Sequence, residues 1–222
     1  MAEKITQELL GSSIDRAVTC IREGGIVAFP TETYYGLAVD PDFLAAITKL
    51  FKVKRRQADN PLLLLIENRE QLQLIAENIP PEFVPLMEKY WPGPLTLVFP
   101  AKKEICRQLI GNSGTVGVRV SSHPIAAQLV RRMGKPITAT SANISGQLPA
   151  STAAEVLTMF GSSLSYIVDG GQTPAGLCST VLGFHDGKCT VLRQGQIDLA
   201  TELRQEVVHL TRSSIITPVK NS

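Results

Sequence analysis

The sequence predicts an α/β fold, in which one domain is built around a mixed β-sheet with flanking helices. Helix and strand patterns alternate along the chain with short connections, which is typical of this class. No internal repeat or low-complexity linker interrupts the alternation. The 222 residues, 44% apolar and 19% charged, are enough for a substantial core. We expect a single domain over residues 1–212, followed by a loosely held polar tail over 213–222.

The first helix shows how each helical segment is predicted. Apolar residues recur at helical spacing between Ile14 and Ile21, Ser13 or Asp15 is a candidate cap, and Gly24 ends the pattern. In chain order, this spacing predicts helices over 13–23, 43–51, 70–77, 81–89, 124–133 and 153–160. Short apolar runs bounded by turn residues predict strands over 26–29, 62–66, 95–100, 115–120, 137–139, 166–169, 179–183 and 190–193.

The composition argues against several classes of protein. A net charge of +2 is too small for bulk nucleic-acid binding, and 5% aromatic residues argue against a base-stacking platform. The four cysteines have no CxxC spacing and the three histidines do not complete a ligand set, so we expect neither a zinc site nor a disulfide framework. The start lacks the apolar core of a signal peptide, and no apolar run approaches the ~20 residues that span a bilayer. We therefore expect a cytoplasmic protein without membrane association.

A basic segment precedes the strand predicted over 62–66. Lys54, Arg55 and Arg56 are adjacent, and Lys49 and Lys52 precede them with no acid between. Such a cluster is satisfied by an anionic partner, most often phosphate. A basic loop in water is the alternative.

Further polar motifs fall at strand ends, where α/β folds build ligand sites. Hydroxyl-rich segments occur at 30–36, 140–146 and 179–180. Arg119 lies within an apolar strand, where it needs an acid or an anionic ligand, and Arg193 follows another strand. Each motif alone could be an ordinary turn or cap. The sequence shows no Ser-His-Asp arrangement, nucleophile elbow or P-loop, so the residues favour an anion and nucleotide site that works by positioning and charge neutralisation.

Seven motifs in order resemble the YrdC/Sua5 family, the threonylcarbamoyl-AMP synthases of tRNA modification. They are PTETYYGL (30–37), K-x-R-x-x-x-N-P-L (54–62), WPGPLT (91–96), G-V-R-x-x-x-H-P (117–124), T-S-A-N-x-S-G (140–146), STV (179–181) and L-R-x-G (192–195). The resemblance spans about residues 24–197 and favours the short, single-domain form. It implies a twisted mixed β-sheet flanked by helices around a basic concave cavity.

The resemblance also implies an activity. Family members convert L-threonine, bicarbonate or carbon dioxide, and ATP into threonylcarbamoyl-AMP and pyrophosphate. A downstream transferase complex then modifies the adenosine beside the anticodon of ANN-decoding tRNAs. Mg²⁺ is expected to enter through the ATP phosphates, with no metal ligand assigned to the protein.

Site residues are implied by the same resemblance. Lys54 and Arg56 are the expected catalytic cations. The expected ATP-binding residues are Lys54, Arg56, Asn60, Thr115, Ser141, Asn143 and Arg193. The expected threonine-binding residues are Thr31, Thr33, Arg119 and Ser179.

The chain departs from the family pattern at five positions, and other functions stay open. Gln57, Ser121 and Gln194 stand where proline is usual, Leu65 stands for a histidine, and Cys178 stands for proline or glutamate. One alternative is a module that binds double-stranded RNA or tRNA without chemistry. Others are an enzyme acting on carbamoyl phosphate, or a paralogue with another carbamoyl or adenylate substrate.

Overall fold

The computed structural model describes residues 10–57 and 59–199. The polar tail expected over 213–222, and the domain end expected at 212, lie outside these residues. Within them, no helix is both long and apolar enough to cross a membrane.

The strands form two mixed sheets. In the order β1-β9-β2-β3-β8, the five-stranded sheet contains β1 (Leu10–Gly11), β9 (Tyr166–Val168), β2 (Val27–Pro30), β3 (Tyr35–Ala38) and β8 (Thr140–Ser141). In the order β11-β10-β5-β6-β4-β7, the six-stranded sheet contains β11 (Lys188–Arg193), β10 (Thr180–His185), β5 (Leu95–Pro100), β6 (Thr115–Arg119), β4 (Leu63–Leu65) and β7 (Ile137–Thr138). The predicted α/β class is therefore confirmed, with two sheets where the sequence patterns suggested one.

The chain passes from one sheet to the other at Ala139. The amide of Thr138 donates to the carbonyl of Val39 at 3.1 Å, and the amide of Ala139 donates to that of Leu63 at 2.7 Å. The segment 137–139, predicted as one strand, thus ends one sheet and leads into β8 of the other. This crossing holds the two sheets side by side and leaves a cleft between them.

Helices pack against both sheets. They are α1 (Ile14–Arg22), α2 (Leu44–Lys54), α3 (Phe83–Tyr90), α4 (Arg107–Ile110), α5 (Pro124–Met133) and α6 (Ala153–Phe160), with 3₁₀ turns at Arg69–Leu74 and Gly161–Ser163. Ser13 caps α1 as predicted, because its Oγ accepts from the amide of Arg16 at 3.2 Å. Thr152 and Glu155 form a reciprocal capping box at α6. Three apolar clusters then fill the space between helices and sheets.

Several elements differ from the sequence prediction, and β8 is among those that were not predicted. β3 was not predicted, because its first two residues belong to the polar motif at 30–36, which suggested a turn before a helix. The segment predicted as a helix over 70–77 is a 3₁₀ turn. β1 and α4 were also missed, since two and four residues are too short to show a period.

Candidate functional site

A cavity of about 420 Å³ lies between the two sheets. Strands of both sheets line it, together with the loops that follow β2 and precede β4, β6 and β10. Eight of the residues predicted for the site are among its lining residues: Thr31, Thr33, Arg56, Thr115, Arg119, Ser141, Ser179 and Arg193. The chain therefore gathers into one cavity residues that are separated by up to 162 positions, from 31 to 193.

Two threonines after β2 form a buried pair of hydroxyl groups. Thr31 Oγ1 donates to the carbonyl of Tyr34 at 2.6 Å. Its single proton is then used, so Thr33 Oγ1, 3.0 Å away, must donate to Thr31 Oγ1. The amide of Thr33 also donates to Thr31 Oγ1, at 3.2 Å. This arrangement fixes Thr33 Oγ1 with its free lone pairs as an acceptor on the cavity wall.

Arg119, at the end of β6, is 5% exposed and lies against a carboxylate. Its Nη1 is 3.2 Å from Glu32 Oε1. Burial lowers the pKa of Arg119 and the charge of Arg193 adds to this, while Glu32 opposes both. The acid that the sequence analysis required for a buried arginine is therefore present.

The hydroxyl of Ser179 connects two strands and a cation. Ser179 Oγ is 2.9 Å from Thr96 Oγ1, and Arg193 Nη2 donates to it at 3.0 Å. The same guanidinium donates from Nη2 and Nε to the carbonyl of Ser179, at 3.0 and 3.2 Å. Ser179 and Arg193 are thus held as one unit at the cavity wall.

Arg56 and Arg193 give the cavity its positive charge. Arg56 donates from Nη2 to the carbonyl of Pro61 at 2.8 Å and from Nε to that of Asn60 at 3.3 Å. Burial lowers the pKa of Arg56, and the charge of Arg193 lowers it further. The partners that the structure gives these two guanidiniums are neutral oxygens, so an anion between them relieves their mutual repulsion.

Lys54, Asn60 and Asn143 are not among the lining residues of the cavity. Lys54 is 1% exposed, and its Nζ donates to the carbonyls of Ser141 and Asn143 and to Asn143 Oδ1. Ser141 Oγ donates to the same Oδ1 at 2.7 Å. Lys54 therefore holds the turn that carries Ser141 to the cavity, while Asn60 is exposed and contributes its carbonyl to Arg56.

Sequence reasoning missed three residues of the site. Thr96 belongs to the motif at 91–96 but was assigned no role in the site. In the same motif, Trp91 Nε1 donates to the carbonyl of Leu95. Thr96 nevertheless lines the cavity, as does Ser113. Glu32 lies in the segment 30–36, but its pairing with Arg119 was not foreseen. The available signal for Thr96 was its place as the one polar residue in the apolar run 95–99.

No group of three or more histidine, cysteine, aspartate or glutamate side chains close enough to hold a metal ion occurs within residues 10–57 and 59–199. The Glu32 carboxylate contacts Arg119 and Ser121.

Comparison with known proteins identifies the family. The Sua5/YciO/YrdC family model, described as "Telomere recombination", matches residues 19–195. A threonylcarbamoyl-AMP synthase of Pyrococcus abyssi is 42% identical over 179 residues, which cover 81% of this chain and 53% of that protein. A threonylcarbamoyl-AMP synthase of Bacillus subtilis is 38% identical over 196 residues, covering 87% of this chain and 57% of that protein.

A solved structure shows the same fold. The crystal structure of P. abyssi Sua5 complexed with L-threonine superimposes with a TM-score of 0.83 at 39% identity, over 88% of this chain and 59% of that chain. The chain thus spans little more than half the length of these relatives. The family model covers most of the chain and the fold agrees, so this chain belongs to the Sua5/YciO/YrdC family.

Proposed function

We propose that the chain is an L-threonylcarbamoyladenylate synthase acting in the cytoplasm. It combines L-threonine, bicarbonate or carbon dioxide, and ATP into threonylcarbamoyl-AMP and pyrophosphate. A downstream transferase complex then uses the product to modify the adenosine beside the anticodon of ANN-decoding tRNAs. The names of the P. abyssi and B. subtilis relatives, and the L-threonine bound to P. abyssi Sua5, support this proposal.

The observation that carries the proposal is the composition of the cavity wall. Hydroxyl groups of Thr31, Thr33 and Ser179 share the cavity with Arg56 and Arg193, whose described partners are neutral oxygens. Hydroxyls suit a small polar substrate, and unneutralised guanidiniums suit phosphate. One cavity can therefore hold an amino acid and a nucleotide side by side.

The reaction needs positioning and charge neutralisation more than a protein nucleophile. The amine of threonine adds to carbon dioxide and loses a proton, which gives a carbamate. A carbamate oxygen then attacks the α-phosphate, and pyrophosphate leaves in line. Both reactants are anions, so Arg56 and Arg193 lower the barrier by screening their repulsion.

Mg²⁺ belongs to the substrate in this proposal and arrives with the phosphates of ATP. When bound, it neutralises phosphate charge and polarises the α-phosphate. The described cavity wall fits this arrangement, because its arginines suit phosphate oxygens. Ser141 lies on the wall, where its hydroxyl could meet a phosphate or a water molecule of the ion.

Lys54 acts on the nucleotide indirectly. Its ammonium is enclosed and bonded to three oxygens of the 141–143 turn, so it fixes the position of Ser141. We expect loss of Lys54 to disturb ATP binding through that turn. Arg119 and Thr33 provide a cation and a hydroxyl for the carboxylate and side chain of threonine.

Pyrophosphate release tests the proposal. Purified protein with MgATP and bicarbonate is expected to release pyrophosphate only when L-threonine is added. Arg56→Ala should lower the rate about a hundredfold, since it removes a cation aimed at transition-state charge. Lys52→Ala, an exposed lysine of α2, is the matched control and should keep the rate.

The alternatives give different results in the same assay. Retention of RNA with a steep salt dependence, but without threonine-dependent release, would favour the RNA-binding module. Release that depends on carbamoyl phosphate or another amino acid would favour a related enzyme with a different substrate.

A further inference from the structure

We propose that Glu32 is a positioning residue for Arg119, and that Ser121 fixes Glu32 in turn. The inference rests on the proposed function, because it assigns the ligand of Arg119 as the carboxylate of L-threonine. It adds two residues that act on substrate affinity through another side chain. Neither Glu32 nor Ser121 is among the residues lining the cavity.

The three side chains contact one another in series, from Ser121 to Glu32 to Arg119. Ser121 Oγ donates a hydrogen bond to Glu32 Oε2. The other carboxylate oxygen, Oε1, is 3.2 Å from Arg119 Nη1. Ser121 is 3% exposed, and the Glu32 side chain is 12% exposed. Because both oxygens of Glu32 are engaged by groups with little access to water, the carboxylate has little freedom to turn away from Arg119.

Ser121 itself is held by the start of a helix. Its Oγ accepts from the amide of His123 at 3.3 Å, and His123 Nδ1 caps α5 by accepting from the amide of Ile125 at 3.2 Å. The hydroxyl is therefore anchored to a rigid element that packs on the sheet. The resemblance noted in the sequence leads one to expect proline at position 121, and proline has no hydroxyl to make this bond.

The guanidinium of Arg119 is left incompletely satisfied. A guanidinium carries five N–H donors, and the contact found for this one within the described chain is the ion pair through Nη1. Nε is enclosed and has no hydrogen-bond partner there, and Glu32 Oε1 likewise accepts no well-directed hydrogen bond. A buried cation with unused donors on the wall of a cavity is prepared for a planar anion, and a carboxylate matches its fork.

Charge explains why Arg119 needs a positioning residue. Arg193 repels it, and burial penalises its charge, so without an acid it would be drawn toward water. Glu32 offsets both effects and holds the guanidinium at the end of β6. The arrangement therefore orients Arg119 before the substrate arrives, which reduces the ordering that binding must otherwise supply.

The test compares Ser121→Ala with Ser122→Ala, its exposed neighbour in sequence. Ser121→Ala removes the bond to Glu32 and keeps the ion pair, so the variant is expected to fold. We expect its KM for L-threonine to rise about tenfold, which is at the lower end of the effect of losing a hydrogen bond to a charged group. The KM for ATP and kcat should be unchanged. Ser122→Ala should match the unaltered protein in all three parameters.

Glu32→Gln provides the second variant. It keeps the shape of the side chain but removes the charge, and we expect a larger rise in the KM for L-threonine than Ser121→Ala gives. The Tm of each variant is measured alongside, because a merely structural role would lower Tm and raise both KM values together.

The outcomes separate this inference from the proposed function. An unchanged KM for L-threonine in Ser121→Ala, or a parallel rise in both KM values, overturns the positioning role while threonine-dependent release by the unaltered protein sustains the function. Absence of that release from the unaltered protein overturns both.

Discussion

Replacing Lys54 by methionine probes how the buried ammonium is held. Burial, with a smaller contribution from Arg56, lowers the pKa of Lys54 from 10.5 to about 7. The side chain is 1% exposed, and its bonds to the carbonyls of Ser141 and Asn143 favour the charged form without restoring full hydration. Methionine has a similar volume and no charge, so Lys54→Met removes the titration and largely keeps the packing.

The pH dependence follows from where the proton is bound. Between pH 7 and 10.5 the unfolded chain keeps Lys54 protonated, whereas the folded chain has released the proton. The unfolded state then binds more protons, so the free energy of unfolding rises with pH across this window. Below pH 7 both states are protonated, and the cost of burying the ammonium is fully present. Between pH 7 and pH 9, these pKa values raise the free energy of unfolding of the unaltered protein by about 2 kcal/mol relative to that of Lys54→Met.

Urea unfolding of both proteins between pH 6 and 9 measures this difference. Lys52→Met, an exposed lysine on the same helix, is the matched control and should run parallel to the unaltered protein. If the free energies of unfolding of Lys54→Met and the unaltered protein also change in parallel with pH, Lys54 keeps its ordinary pKa in the folded state and the reasoning is refuted.

Substitutions at three further positions test other parts of the account. Arg193→Ala should lower the rate of pyrophosphate release about a hundredfold. Arg193→Lys should recover part of the rate, because lysine keeps the charge but not the two hydrogen bonds from Nε and Nη2 to the carbonyl of Ser179. Equal rates for both variants would contradict this. Thr96→Val should cost about 1 kcal/mol in urea unfolding and raise the KM for L-threonine, because it removes the hydroxyl bonded to Ser179; an unchanged KM would separate Thr96 from the site. Gly195→Ala should cost more than about 2 kcal/mol, because a Cβ at this position lies 2.5 Å from the amide nitrogen of Thr180; normal thermal stability would show that the backbone there can move.

The fold class and most elements could be predicted because their signals are local. The cap at Ser13 and the apolar run over 62–66 depend on neighbours in sequence. The division into two sheets could not be predicted, because it depends on which strands pair. The segment 137–141 joins both sheets, and its five residues carry no pattern that separates the two pairings.

The site was predicted in its composition more than in its contacts. The arginines and most of the hydroxyls named from the sequence do meet in one cavity, with Arg56, Arg119 and Arg193 as its basic residues. The contact of Glu32 with Ser121 joins residues 89 positions apart and has no local signature. Lys54 was expected at the phosphates because a basic cluster usually binds an anion. In the fold, its ammonium instead donates to the carbonyl oxygens of Ser141 and Asn143. The roles of these residues remain predictions for kinetics to test.

The most direct measurement follows the carbon of bicarbonate into product. Protein supplied with ¹³C-bicarbonate, L-threonine and MgATP is analysed by mass spectrometry for threonylcarbamoyl-AMP, with each substrate omitted in turn. The account predicts a labelled product that contains AMP and threonine, formed only when all three substrates are present. Hydrolysis of ATP without a labelled adenylate, or no reaction at all, would contradict it.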